Sequence, residues 1–247
     1  MKIPHKKHLL LINPNMTVAV TQRLKIFLQP MLPDSVQLDA VTATFGASYI
    51  SCEASHAVAA HAVLDAWAQY LANHPAPDGV LIGCFGDPGL FALKQSCNGS
   101  VTGLAEASFI EAASYGEFAI VTGGQRWKPM LMRLAQNLGF EQQLHSIEIV
   151  KPTGAQLMAD EALAMACLSD ACASAASGGA KAIIIGGAGL AGYAQKLQNL
   201  CGVPLIDSAA AGLRVLLDGK IDSAGAAQNG FEAQWSAISA SIKALQL

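Results

Sequence analysis

Short apolar runs alternate along the chain with stretches whose apolar residues recur every three to four positions. The runs His8–Asn13, Val36–Thr42, Gly79–Gly83, Gly99–Thr102, Phe118–Thr122, His145–Val150, Ala182–Ile185 and Val203–Asp207 predict strands. Between them lie helical patterns at Thr17–Gln29, Glu53–Leu71, Glu106–Ser114, Lys128–Leu138, Asp160–Ser177, Gln195–Cys201 and Ala209–Leu217, with a terminal helix over Gln228–Leu245. The clearest is Glu53–Leu71, where Ala60, Val63, Leu64, Trp67, Tyr70 and Leu71 share one face. Thr17 is positioned as a cap. Asp87-Pro88 reads as an N-cap and first residue of a helix reaching to about Cys97, because Asp accepts orphan amides and Pro has no amide to leave unpaired. Apolar strands each followed by a helix predict mainly parallel sheet covered on both faces.

The pattern repeats. Leu9–Asn13 and Phe118–Thr122 are each an apolar strand closed by a short polar residue, and Val80–Cys84 and Ile183–Gly187 follow them at similar distances. The expected fold is α/β with two pseudo-symmetric domains, each a mainly parallel sheet flanked by helices. The first takes residues 1–100 plus 210–247 and the second 101–209. Ligands of open α/β sheets bind beyond the carboxyl ends of the strands. Two facing halves therefore put Asn13, Cys84, Thr122 and Gly187 around one interdomain cleft.

Composition narrows the class. The 247 residues are 52% apolar and 13% charged, with 23 glycines, which excludes disorder. A net charge of −3 and no basic run beyond His5–His8 leave no electrostatic footprint for nucleic acid. No apolar run is long enough to cross a bilayer, and Leu9–Ile12 is too short for a signal-peptide core. The reading is a cytoplasmic protein, no membrane or nucleic-acid partner, with some of its charge-poor surface buried in an oligomer.

Candidate chemistry begins with six cysteines at 52, 84, 97, 167, 172 and 201. None forms a C-x-x-C pair, so metal-ligand spacing is missing, and most read as small buried hydrophobes. Cys84 differs: it ends a buried strand and opens Cys84-Phe85-Gly86-Asp87-Pro88-Gly89-Leu90. Nearby helix amides favour thiolate there and Asp87 opposes it, with an inert strand-end thiol as the alternative. Gly187-Ala188-Gly189-Leu190-Ala191-Gly192 is a literal G-x-G-x-x-G, with Asp207 twenty residues on, and so supports a dinucleotide reading. Against it, little chain follows, and glycine-rich sequence produces the pattern readily. The six histidines show no H-E-x-x-H and read as solvated or capping. Arg126 and Trp127 border the cleft or pack.

Taken in order, these motifs resemble the Asp/Glu/hydantoin racemase superfamily, and within it the hydantoin and allantoin racemases. Ile12-Asn13-Pro14-Asn15 is similar to the family's I-N-P-N-T, with Met16 where Thr is usual. Cys84–Leu90 resembles the first cysteine motif, Gly103–Ala107 the G-I-x-E-A segment, and Val121-Thr122 the I-V-T strand end. Gly186–Leu190 stands where the second motif, G-C-A-G-M, belongs, and Val203–Asp207 resembles V-P-V-I-D. The resemblance covers nearly the whole chain. It implies two pseudo-symmetric α/β domains, homo-oligomers, no cofactor or metal, and a small substrate with a carboxylate or cyclic ureide. In such racemases two cysteines exchange a proton on opposite faces of the α-carbon. The resemblance assigns Cys84 as the acid–base residue, with Asn13, Phe85, Gly86, Thr122, Gly123, Gly187 and Ala188 lining the site. The second cysteine is replaced by Gly187. Three readings remain: racemisation with another second acid, such as water admitted beside Gly187; a one-cysteine decarboxylase of malonate-type acids; or binding without turnover.

Overall fold

The computed structural model describes residues 6–219 and 235–244. A first sheet holds β1 (Lys7–Asn13), β2 (Val36–Thr42), β3 (Gly79–Ile82) and β4 (Ser100–Gly103) in the order β2-β1-β3-β4. A second holds β5 (Phe118–Gly123), β6 (Leu144–Val150), β7 (Ala182–Ile185) and β8 (Leu205–Asp207) in the order β6-β5-β7-β8. Every neighbouring pair is parallel. The second order is the first displaced by four strands, so the sequence echo is a structural duplication. Burial explains the strand pattern. Leu9–Ile12 and Ile183–Ile185 are buried on both faces, hence their unbroken apolar runs. The outer strands β2 and β6 are only partly buried and carry polar residues.

Ten helices complete the described chain: α1 (Val18–Leu28), α2 (Glu53–Leu71), α3 (Leu90–Ser96), α4 (Leu104–Ala113), α5 (Trp127–Asn137), α6 (Gly154–Ala159), α7 (Glu161–Ser177), α8 (Tyr193–Leu197), α9 (Ser208–Asp218) and α10 (Ala240–Lys243). The two sheets exchange helices. α4, which follows the first sheet, lies on β7 and β8, while α9, which follows the second, lies on β3 and β4. α4 and α9 also pack together, and Phe109, Leu213, Leu81 and Ile184 join one apolar core. Small residues permit the close approach: a Cβ on Gly212 would come within 2.6 Å of Leu81 Cδ1.

Several expected boundaries move. Asp87 does not open α3, which begins at Leu90 after a left-handed Gly89. Asp87 itself has φ +50°, incompatible with a helix start. β4 runs to Gly103 and pairs with β3, so the crossing between sheets falls past the division expected after residue 100. Asp160 caps α7 by accepting the Leu163 N–H, and the extra helix α6 precedes it. Of the helix expected over Gln228–Leu245, residues 228–234 and 245 lie outside the described residues; within 235–244 only α10 is helical. No helix among the described residues is long and apolar enough to cross a membrane.

Candidate active site

The carboxyl ends of β1, β3, β5 and β7 meet at a cavity of about 110 Å³. Parallel strands in both sheets deliver their outgoing turns to it. From the first half come Asn15, Thr17, Gly83, Cys84 and Phe85; from the second come Thr122, Gly123 and Gly186–Leu190. The two β-strand exits are built alike. Gly83 N–H donates to the Ile12 carbonyl at 2.7 Å, and Gly186 N–H to the Val121 carbonyl at 2.9 Å. Two further walls were not expected: Ser48, Tyr49 and Ile50 from the loop after β2, and Gly154, Ala155 and Met158 from α6.

Close contacts fix the Cys84 turn. A Cβ on Gly86 would lie 2.4 Å from the Trp127 ring, and one on Gly186 would lie 2.4 Å from the Phe85 ring. His56, expected to be solvated or capping, donates from Nε2 to the Gly86 carbonyl at 2.8 Å. Its ring also meets Trp127 edge-on. Asp87 reaches away from the cavity. Its carboxylate accepts the Ala105 N–H at 2.9 Å and the Glu106 N–H at 2.7 Å, so it caps α4 rather than its own helix. Gly103 must be glycine beside it, since a Cβ there would sit 2.1 Å from the Asp87 carboxyl carbon. Glu106 is buried with Lys94 and Thr102 as partners.

Cys84 is 8% exposed. Burial, and then the charge of Asp87, push its thiol above the usual cysteine range. The group at Cys84 is therefore a thiol: of the two opposing influences expected there, the one from Asp87 adds to burial and prevails. Burial also raises the Asp87 carboxyl, to about 7, against the opposing pull of its backbone donors.

The second turn, Gly187–Gly192, is pinned at its far end. Arg23 Nη2 donates to the Ala191 carbonyl at 3.2 Å, and Asp207 accepts the Gly192 N–H at 2.6 Å. Asp207 also accepts from Ala209 and Ala210, capping α9. This overturns the dinucleotide reading: the acid meant for a ribose is 3% exposed and fully engaged, and α8 is only five residues long. Gly187 has φ +148° and ψ 133°, a conformation open to glycine. A Cβ there would meet nothing closer than Leu190 at 3.4 Å.

Two expected lining residues fall elsewhere. Asn13 is fully buried behind the cavity; its Nδ2 donates to Asn15, Thr17 and Thr21, and its Oδ1 accepts the Asn15 N–H. Gly86 lies on the far side of the turn, against Trp127. Asn15 takes the place expected of Asn13. Its Oδ1 accepts from Asn13 and Thr17, leaving Nδ2 without an acceptor among the described residues. Thr17 is no side-chain cap; its hydroxyl donates to the Ser48 carbonyl and ties the β2 loop to α1. Thr122 donates to the Gly186 carbonyl at 2.7 Å, joining the exits of β5 and β7. The α6 wall had a legible signal. Thr153 and Gln156 form a reciprocal capping box, the T-x-x-Q pattern that marks a helix start.

No charged side chain among the described residues lines the cavity. Among the described residues, no group of three His, Cys, Asp or Glu side chains is placed to hold a metal. Gly186→Ala is expected to drive the Phe85 ring into the cavity. It should raise KM about tenfold and cost about 2 kcal/mol of stability, read by steady-state kinetics and urea unfolding.

Comparison with known proteins places this architecture. The chain is 31% identical over 210 residues to a hydantoin racemase of Paenarthrobacter aurescens, spanning 84% of this chain and 88% of that protein. An allantoin racemase from Klebsiella pneumoniae superposes with a TM-score of 0.84 at 26% identity, covering 97% of this chain and 98% of that one. The allantoin racemase of Pseudomonas fluorescens shares the fold, with a TM-score of 0.82 at 22% identity over 89% and 94% of the two chains. The family model described as Asp/Glu/Hydantoin racemase matches residues 9–216, from the first buried strand to the helix that returns to the first sheet. The duplicated sheets and their shared cavity are thus those of a member of the Asp/Glu/Hydantoin racemase family.

Proposed function

We propose that this enzyme, a racemase or isomerase by family, acts on the α-carbon of a neutral cyclic ureide of the hydantoin or allantoin type, with Cys84 moving the proton. The observation that carries the reading is a buried thiol on a cavity to which the described residues present no charged side chain. A dicarboxylic amino acid would leave its second carboxylate unpaired there, a burial that is strongly unfavourable. A cyclic ureide brings only neutral carbonyl and N–H groups. Its α-hydrogen is acidified by the adjacent carbonyl, so charge develops on that oxygen as the proton leaves. Donors are available to hold it. Asn15 Nδ2 and the N–H groups of Ala188 and Gly189, at the start of a short 3₁₀ turn, take no acceptor among the described residues. No step in this reading calls for a cofactor or metal.

The test is incubation of single enantiomers of a 5-substituted hydantoin and of allantoin in deuterium oxide, followed by NMR and polarimetry. Deuterium should enter the α-position as optical rotation decays. A protein that binds these ureides, read as a raised melting temperature, yet exchanges no α-proton would defeat the proposal. Carbon dioxide release from a disubstituted malonate would favour decarboxylation instead.

A further inference from the structure

Racemisation needs a proton-transferring group on each face of the α-carbon. Gly187 supplies none. Of the described side chains lining the cavity, only Cys84 and Tyr49 carry a proton acidic enough to transfer, the remaining hydroxyls being aliphatic. Two of those hydroxyls, on Thr17 and Thr122, already donate to carbonyls.

Tyr49 lines the same cavity as Cys84. It rises from the β2 loop of the first half, but its hydroxyl oxygen accepts the Gly154 N–H of the second half at 3.1 Å. The same oxygen would lie 3.5 Å from a Cβ on Gly124, the residue that follows β5. β5 is the sheet neighbour of β7, whose exit carries Gly187. Cys84 follows β3 of the other sheet. The phenol oxygen is thus held by second-half backbone at the cavity that Gly187 also lines, which Cys84 reaches from the first half. Its own O–H hydrogen goes to no acceptor among the described residues, while the Gly154 N–H is placed to hold the charge left once that proton has gone.

We propose that Tyr49 is the second proton-transfer group of this active site, facing Cys84 across the α-carbon in place of a thiol at Gly187. This rests on the assignment of Cys84 above. The Cys84 thiolate takes the α-proton, so C–H breaks and S–H forms, and the electron pair moves onto the adjacent carbonyl. The Tyr49 O–H then breaks as its proton reaches the opposite face and a new C–H forms. Cys84 thiol and Tyr49 phenolate remain, the form that accepts the other enantiomer or resets by proton exchange with solvent.

The experiment follows deuterium entry and inversion separately, from one enantiomer of a 5-substituted hydantoin. In Tyr49→Phe, racemisation is expected to fall about 100-fold while Cys84-dependent exchange proceeds with retained configuration. 3-Fluorotyrosine at position 49 preserves the fold and is a stronger acid. It should move one limb of the racemisation pH profile to lower pH without moving the exchange profile. Racemisation by Tyr49→Phe at the wild-type rate overturns the proposal. So does equal loss of exchange and racemisation in that variant with an unmoved fluorotyrosine profile, which would make Tyr49 only a tether for α6. Failure of the Cys84 assignment looks different: Cys84→Ser would then exchange the α-proton as fast as wild type.

Discussion

Cys84→Ser is expected to lower both racemisation and α-proton exchange by about 10³-fold, with little change in stability. Serine matches the thiol in shape and fits the same buried position, but its hydroxyl is a far weaker acid. The wild-type rate should also rise with pH. Burial and the Asp87 charge hold the thiol above its usual range, so the resting group is protonated. Only the thiolate accepts a proton, and its fraction grows about tenfold per pH unit below the thiol's pKa. The kcat/KM profile should therefore climb on the alkaline side, and the Ser variant should lose that limb. Undiminished turnover in Cys84→Ser would remove the thiol from the mechanism.

Asp87→Ala is expected to destabilise the protein by about 4 kcal/mol. The carboxyl holds two buried N–H groups at the start of α4, each of which costs about 1.5 kcal/mol when left unpaired, and alanine at φ +50° adds about 1 kcal/mol of backbone strain. Asp87→Asn should lose roughly half as much, because Asn tolerates positive φ and keeps one acceptor oxygen. The two variants also separate in pH dependence. The folded carboxyl titrates near 7, against an ordinary value of 3.8. Between these values the unfolded chain has released the proton and the folded chain retains it. Wild-type stability should therefore fall as pH rises from about 4 to about 7, and Asp87→Asn should lack that slope. Urea unfolding across this range measures both effects. An Ala variant as stable as wild type would show that α4 does not depend on this cap.

Asp87 also shows where the sequence was misleading. Asp followed by Pro is a helix-start signal, and a helix does start a few residues later. The cap is real, but it serves α4, some eighteen residues onward, because β3 and β4 are neighbours and their exits lie side by side. Asn13 is a second instance. It stands at a strand end, where ligands are met, yet its amide is wholly engaged and Asn15 presents the free donor. Tyr49 and Met158 carried no signal as cavity residues, since nothing local brings a β2 loop to α6.

The alternation of strands and helices, the parallel sheets, their duplication, and Cys84 at a strand exit could all be read along the chain. These follow from periodicity, two-faced burial and turn chemistry, all local along the chain. Tertiary packing was needed to settle which amides Asp87 caps, which asparagine faces the cavity, and that Tyr49 reaches the Gly154 N–H at the same cavity. Those outcomes depend on how two sheets, sharing helices α4 and α9, bring together residues up to about a hundred positions apart. Local pattern fixes where a side chain leaves the backbone, and packing fixes what it meets.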